Sequence, residues 1–234
     1  MQKNGIKRIL ITGASSDIGF RLTERLLKNN YEVVGTYNNN KKNLIKLKEK
    51  FKNLNIVKID FEKDDLQKIK FNNIDCFISL HGFIKKNKKK LNERDFQKHI
   101  SINYFKNLII IEKLLNEMKK KKFGRIYLTS SVGTKYGGSE ETLYYSLSKY
   151  LNEFHPNYLK KLTKINIILN TIKIGLVDTK FHNKVKSKNM NKRIKLTPVK
   201  KIITIDQMSN NIYNIITNED NLFINTLINL TNGE

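Results

Sequence analysis

Tyr145 and Lys149 stand four residues apart in Tyr145-Ser146-Leu147-Ser148-Lys149, so a helix carries both on one face. An ammonium beside a phenol favours the phenolate, which would bring a group of ordinary pKa about 10 within use as a general acid or base near neutral pH. Tyr144, by contrast, has the uncharged Ser148 four residues on, so Tyr145 is the expected proton donor or acceptor. Ser131, fourteen residues before Tyr145, can donate a hydrogen bond to a carbonyl oxygen on which negative charge develops. Ser130 competes with it; Ser131 is preferred because it lies just beyond the strand and closer to the tyrosine. A second group is Thr12-Gly13-Ala14-Ser15-Ser16-Asp17-Ile18-Gly19, where a strand runs into a helix. Glycine lets backbone turn tightly and approach a phosphate, and the helix N-terminus behind it offers free N–H groups and partial positive charge. That is a cradle for a dinucleotide. No Gly-Lys-Ser/Thr follows, which argues against a nucleoside-triphosphate loop.

These groups need elements to hold them. Short apolar runs predict strands over 6–12, 31–37, 55–60, 74–80, 124–130 and 165–171. Between them, helical spacing predicts helices over 17–29, 41–52, 62–70, 92–118 and 143–162. Such alternation makes an α/β fold, a doubly wound parallel sheet in three layers with helices on both faces. No linker, repeat or composition break divides the chain, so residues 1–234 read as one domain. Two stretches break the rhythm, the Gly-rich 131–142 and a long loop at about 174–203. In such a sheet ligands bind beyond the carboxyl ends of the strands, where both loops emerge.

Composition narrows the classes. The 234 residues are 39% hydrophobic, enough for a packed core, and carry a net charge of +24 with one Cys and two Pro. The single Cys76 excludes a disulfide framework and a Cys zinc site, and a strand position makes it an inert core residue; a reducing, cytoplasmic setting is expected. No apolar run approaches the roughly 20 residues that cross a bilayer. Lys, Asn and Ile dominate the chain, so its charge is read mainly as compositional, although the blocks 85–90 and 119–122 could attract an anionic partner. Zinc-finger spacing, aromatic-basic signatures and heptads are missing, so no nucleic-acid partner is expected. His99, His155 and His182 lack partner spacing for a metal, and no metal is expected.

The glycine turn resembles the Thr-Gly-x-x-x-Gly-x-Gly fingerprint of the short-chain dehydrogenase/reductase family, with Asp17 at the middle glycine. Tyr145 and Lys149 match its Tyr-x-x-x-Lys, Ser131 its serine, and Asn103, in Ser101-Ile102-Asn103-Tyr104, the asparagine that completes its tetrad. The likeness continues through Asn170–Thr179 to Asn232-Gly233. The resemblance implies a single Rossmann-type domain similar to 3-oxoacyl-acyl-carrier-protein reductases, with Asn103, Ser131, Tyr145 and Lys149 catalytic. Lys149 would also hold the cofactor ribose, and Asn103 would anchor a proton-relaying water. The implied cofactor set is Gly13, Ser15, Ser16, Asp17, Ile18 and Gly19 in the turn, Tyr37 and Asn38 after the second strand, and Asp60 and Phe61 at the adenine. Gly82, Gly175, Val177 and Thr179 join Tyr145 and Lys149 in completing it.

An acid at the end of the second strand would bind the NAD ribose hydroxyl and repel a 2′-phosphate; here the run is Tyr37-Asn38-Asn39-Asn40-Lys41. NADP(H) is therefore expected over NAD(H), with Asn38, Asn39 or Lys41 as contacts. Several residues depart from the family pattern. Asp17 brings a carboxylate near the diphosphate or caps the helix. Asp60, besides its adenine role, can cap a helix before Glu62. Ser79-Leu80-His81-Gly82 stands where the family has Asn-Asn-Ala-Gly, and His81 either touches substrate or nicotinamide or is incidental. Ile174 replaces a proline, and Pro156 should kink or end its helix. In the family 174–203 is a substrate lid, and here no acid occurs between Asp178 and Asp206 among Lys180, Lys184, Lys186, Lys188, Lys192, Arg193, Lys195, Lys200 and Lys201. The expected function is hydride transfer between NADP and a carbonyl or secondary alcohol, with a 3-oxoacyl thioester on an acidic carrier as substrate. The alternatives are an anionic or nucleotide-linked sugar and, from another class, a non-catalytic dinucleotide-binding regulator. Surplus apolar residues on the helices over 92–118 and 143–162 fit a homodimer or homotetramer, as in the family.

Overall fold

Ile9 and Ile11 turn to one layer of helices and Leu10 to the other, the period of two that a strand buried on both faces requires. The computed structural model describes residues 5–87, 90–180, 190–218 and 222–234. Among them β1 (Arg8–Thr12), β2 (Glu32–Tyr37), β3 (Leu54–Lys58), β4 (Cys76–Ser79), β5 (Gly124–Ser131), β6 (Ile167–Ile174) and β7 (Leu227–Leu230) form one parallel sheet, ordered β3-β2-β1-β4-β5-β6-β7. Helix α1 (Asp17–Lys28), with α2 (Lys42–Lys50), buries Leu22, Leu26 and Leu44 against one face. Helices α3 (Glu93–Ile100), α4 (Lys106–Lys121) and α5 (Leu143–Tyr150) follow in the chain, and Ile110, Leu114 and Met118 of α4 cover the other face. The strand order reverses direction between β1 and β4, which opens a crevice above their carboxyl ends.

Three predicted helices come out differently. The one over 62–70 is reduced to a single 3-10 turn, Leu66–Lys68, because aspartate side chains take up the local backbone: Asp60 Oδ1 accepts from Glu62 N, Asp64 Oδ2 from Asp60 N and Asp65 Oδ1 from Gln67 N. Asp60 thus shapes a turn and caps no helix. The long helix over 92–118 is α3 and α4 joined by one π turn, Ser101–Phe105, which contains Asn103. The helix over 143–162 is broken: α5 passes through a 3-10 turn, Leu151–Glu153, and restarts after Pro156 as α6 (Asn157–Lys160). Pro156 has no N–H for the carbonyl of Asn152, four residues back, and Thr171 Oγ1 donates to that oxygen instead.

Beyond 203, where no strand or helix was expected, α8 (Ile205–Thr217) packs on α1 and leads to β7. Within the expected lid, residues 181–189 lie outside the described residues, so Lys184, Lys186, Lys188 and His182 do as well. The described part holds a Val177–Ile203 bridge and a helix that the weak periodicity had hidden, α7 (Met190–Leu196). Of the basic blocks, Lys85, Lys86, Lys120 and Lys121 are paired with Asp95, Glu141, Glu117 and Asp75, while Lys88 and Lys89 lie outside the described residues. No described helix is long and apolar enough to cross a membrane.

Candidate active site

After β1 the chain turns at Gly13 with φ +75°, and a Cβ there would sit 2.7 Å from the backbone nitrogen of His81. A Cβ on Gly19 would run into the Gly13 carbonyl, so both positions demand glycine. Ser16 caps α1 by accepting from Gly19 N at 3.1 Å. Asp17 therefore does not cap the helix; its carboxylate accepts the Lys180 backbone N–H at 2.8 Å, tying the turn to the first residues of the lid. Glycines that only bare backbone can occupy, beside a helix N-terminus, fit a dinucleotide diphosphate.

This turn opens into a cleft of about 1630 Å³. The expected cofactor and catalytic residues line it, Asn38 and Asn39 included, except Gly19, which packs beneath the turn, Asn103, and Lys41, the third of the residues expected at the 2′-phosphate. Asn103 is fully buried and acts as a brace: its amide bonds Phe83 N at 2.7 Å, Phe83 O at 2.8 Å and Ser148 Oγ at 2.8 Å. Its backbone oxygen accepts from the side-chain amides of Asn107 and Asn152.

The neighbouring hydroxyls differ in what each touches. Ser131 lines the cleft with Tyr145, whose pKa its hydroxyl acts to lower. Ser130, 2% exposed, donates to Glu153. Tyr144 points away from the reaction space and accepts from Asn92 N at 2.6 Å. Lys149 is 4% exposed, with Nζ 3.3 Å from Thr129 O and 3.5 Å from His81 O. Burial without a carboxylate partner draws its pKa down to about 8.

The expected lowering of the tyrosine is not what the geometry gives. Burial pushes Tyr145 up to about 12, opposed by the Ser131 hydrogen bond and the positive charge of Arg193 from α7. The Lys149 ammonium lies against the carbonyls of Thr129 and His81, on the face of α5 that it shares with Tyr145.

His81, at the altered fourfold motif, has both ring nitrogens engaged, Nε2 with Ile102 O at 2.8 Å and Nδ1 with Thr12 Oγ1 at 2.8 Å, and its ring stacks on Phe61 at 4.0 Å. Burial, then the nearby Lys149 charge, pull its pKa down to about 3. It is a neutral structural residue that lines the cleft wall. Among the described residues no cluster of three or more His, Cys, Asp or Glu could hold a metal. Sequence reasoning missed Glu153 and Lys173, which bond behind Ser130, and the approach of Arg193 to Tyr145. The spacing of Glu153 four residues after Lys149 was the available signal for the first.

A parallel sheet with a glycine cradle at its switch point, and a Ser, Tyr and Lys set at the strand ends, defines a nucleotide-dependent oxidoreductase. The family model described as short chain dehydrogenase matches residues 7–190. The chain belongs to the short-chain dehydrogenase/reductase family and is an NAD(P)-dependent oxidoreductase. It is 26% identical to the 3-oxoacyl-[acyl-carrier-protein] reductase FabG of Buchnera aphidicola subsp. Baizongia pistaciae over 97% of this chain and 96% of that one. It is 28% identical to the uncharacterized oxidoreductase YmfI of Bacillus subtilis, over 76% of this chain and 77% of that one. Among solved structures, ElxO with NADP bound superposes with a TM-score of 0.81 at 22% identity, covering 97% and 98% of the two chains. A short-chain dehydrogenase/reductase from Serratia marcescens gives a TM-score of 0.84 at 16% identity, covering 97% of both.

Proposed function

We propose that the protein is an NADPH-dependent carbonyl reductase acting on an anionic or carrier-linked substrate. The observation that carries this reading is the one cleft that gathers Ser131, Tyr145 and Lys149 beside the glycine turn after β1. A bound NADPH supplies the hydride. Tyr145 gives its proton to the carbonyl oxygen while the Ser131 hydroxyl donates to the same oxygen as charge develops there. Lys149 holds the ribose, and Asn103 braces the Gly82–Phe83 segment against α5. Asn38 and its neutral neighbours, with Asp60 and Phe61, bind the adenosine end; Gly175, Val177 and Thr179 close the other end. The neutral end of β2 supports NADP(H) over NAD(H), and the relatives named as 3-oxoacyl-carrier reductases support a 3-oxoacyl thioester. The cleft is lined by acids as well as by Lys180 and Arg193, so the anionic substrate, carried on an acidic protein or a negatively charged sugar, rests on the lid, which holds no acid between Asp178 and Asp206. A non-catalytic regulator would have no use for the assembled Ser131–Tyr145 pair. A cytoplasmic enzyme is the reading that fits a single buried thiol. Phe105, Leu147, Tyr150, Phe154 and Tyr158, exposed around α4 to α6, support a homodimer or homotetramer.

NADPH oxidation with a 3-oxoacyl thioester on an acidic carrier and with a small neutral ketone tests the reading. Raising salt from about 0.05 to 0.5 M should lower kcat/KM several-fold for the anionic substrate only, because screening shortens to a few Å. Reversing Lys184, Lys186 and Lys188 together should raise KM for that substrate. Equal salt dependence for both substrates, with an unchanged KM in the triple variant, would show that the lid charge is compositional.

A further inference from the structure

Tyr145, Lys149 and Glu153 recur every four residues; Lys149 bonds to Thr129 and Glu153 to Ser130 at the end of β5, and Tyr145 lines the cleft with Ser131, the next residue. Glu153 Oε1 alone accepts from Ser130 Oγ at 2.5 Å and from Thr134 Oγ1 at 2.7 Å, and lies 3.1 Å from Lys173 Nζ. The Glu153 and Lys173 side chains are 12% and 13% exposed, and Lys173 sits beside Ser130 in the β5–β6 register. Neither lines the cleft. Ser131 lies between the two anchored hydroxyl residues. The single Thr134 hydroxyl proton is shared between Glu153 Oε1 and the Ser131 carbonyl, 2.9 Å away, and Ser131 Oγ accepts from Gly133 N at 3.3 Å, which leaves the Ser131 hydroxyl proton to be directed outward.

We propose that Glu153 is a positioning residue, which clamps Ser130 and Thr134 on either side of Ser131 and so fixes the direction of the Ser131 hydroxyl toward Tyr145 and the substrate carbonyl. The proposal rests on the reading of Ser131 and Tyr145 as the reacting pair. A buried ion pair is a poor stabiliser in itself, and one serving only Lys173 would not gather two hydroxyls from either side of a single residue on one oxygen. The break at Pro156 supports the arrangement, since the 3-10 turn Leu151–Glu153 that precedes it carries Glu153 behind β5.

The test is the double variant Glu153→Leu with Lys173→Met, which removes the carboxylate without leaving the ammonium buried alone. With the melting temperature near wild type and NADPH affinity within about threefold, kcat should fall at least about tenfold while KM moves less than about threefold. Amide exchange over 132–138 should quicken at least about tenfold, with the sheet unchanged. Ser130→Ala and Thr134→Val, each deleting one anchor, should fall between, and Glu153→Gln with Lys173→Met should recover part of kcat by restoring an acceptor. A folded double variant with wild-type kcat or wild-type exchange overturns the proposal. If the double variant does not fold, unchanged kcat in both single variants overturns it. Failure of the wild type to reduce any carbonyl would refute the proposed function, and the exchange measurement would still decide whether Glu153 anchors the turn.

Discussion

Tyr145→Phe should lower kcat for carbonyl reduction by about 10²- to 10⁴-fold, the usual contribution of a positioned general acid, and leave NADPH affinity within a few-fold. The substitution removes one hydroxyl from a side chain whose ring stays in place, so the loss falls on the proton transferred. Tyr144→Phe is the matched control. It deletes the acceptor of the Asn92 N–H at 2.6 Å in a buried position, so it should cost about 1 kcal/mol of stability and leave kcat within a few-fold. Comparable loss of kcat in the two variants would mean that Tyr145 is not the acid.

The second large effect is acid sensitivity. His81 has a folded pKa of about 3 against 6.5 in an unfolded chain, so between these values the unfolded state binds a proton that the folded state refuses. Its contribution is intact above pH 6.5 and is lost as pH falls toward 3, at about 1.4 kcal/mol per pH unit. At pH 5 the loss is about 2 kcal/mol, or about 4–8 °C in Tm for a chain of this size. His99 and His155 are also lowered by burial and add to the slope in the same direction. Melting curves from pH 7 to 5 should therefore fall steadily, and His81→Gln should flatten them. A wild-type Tm that does not change over that range, or a variant with the full slope, contradicts this account of the residue.

The contrast between legible and hidden features has a physical pattern. Local signals held: apolar runs marked the strands, glycines marked the turn after β1, and spacing put Tyr145 and Lys149 on one helix face. What escaped depends on partners distant in the chain. Lys180 N–H claims the Asp17 carboxylate from 163 residues away, and Ser16 rather than Asp17 caps α1. The π turn at Asn103 follows from its bonds to Phe83 and Ser148, which no periodicity reveals. Pro156 announced a break, but only the fold shows that Thr171 repairs it and that Glu153 then lies behind Ser130. The direction of the Tyr145 shift also needed the structure, because burial decides it, and burial is not contained in a four-residue spacing.

The central claim is hydride transfer from NADPH to a carbonyl at the Ser131–Tyr145 pair. It is tested most directly by incubating the wild-type protein with a 3-oxoacyl thioester and NADPH deuterated at C4, on one face and then on the other, and analysing the alcohol by mass. The account predicts that deuterium from one of the two labelled cofactors appears in the product, faster than from labelled NADH, and that Tyr145→Phe suppresses it. Absence of label in any alcohol, or faster transfer from NADH than from NADPH, would contradict it.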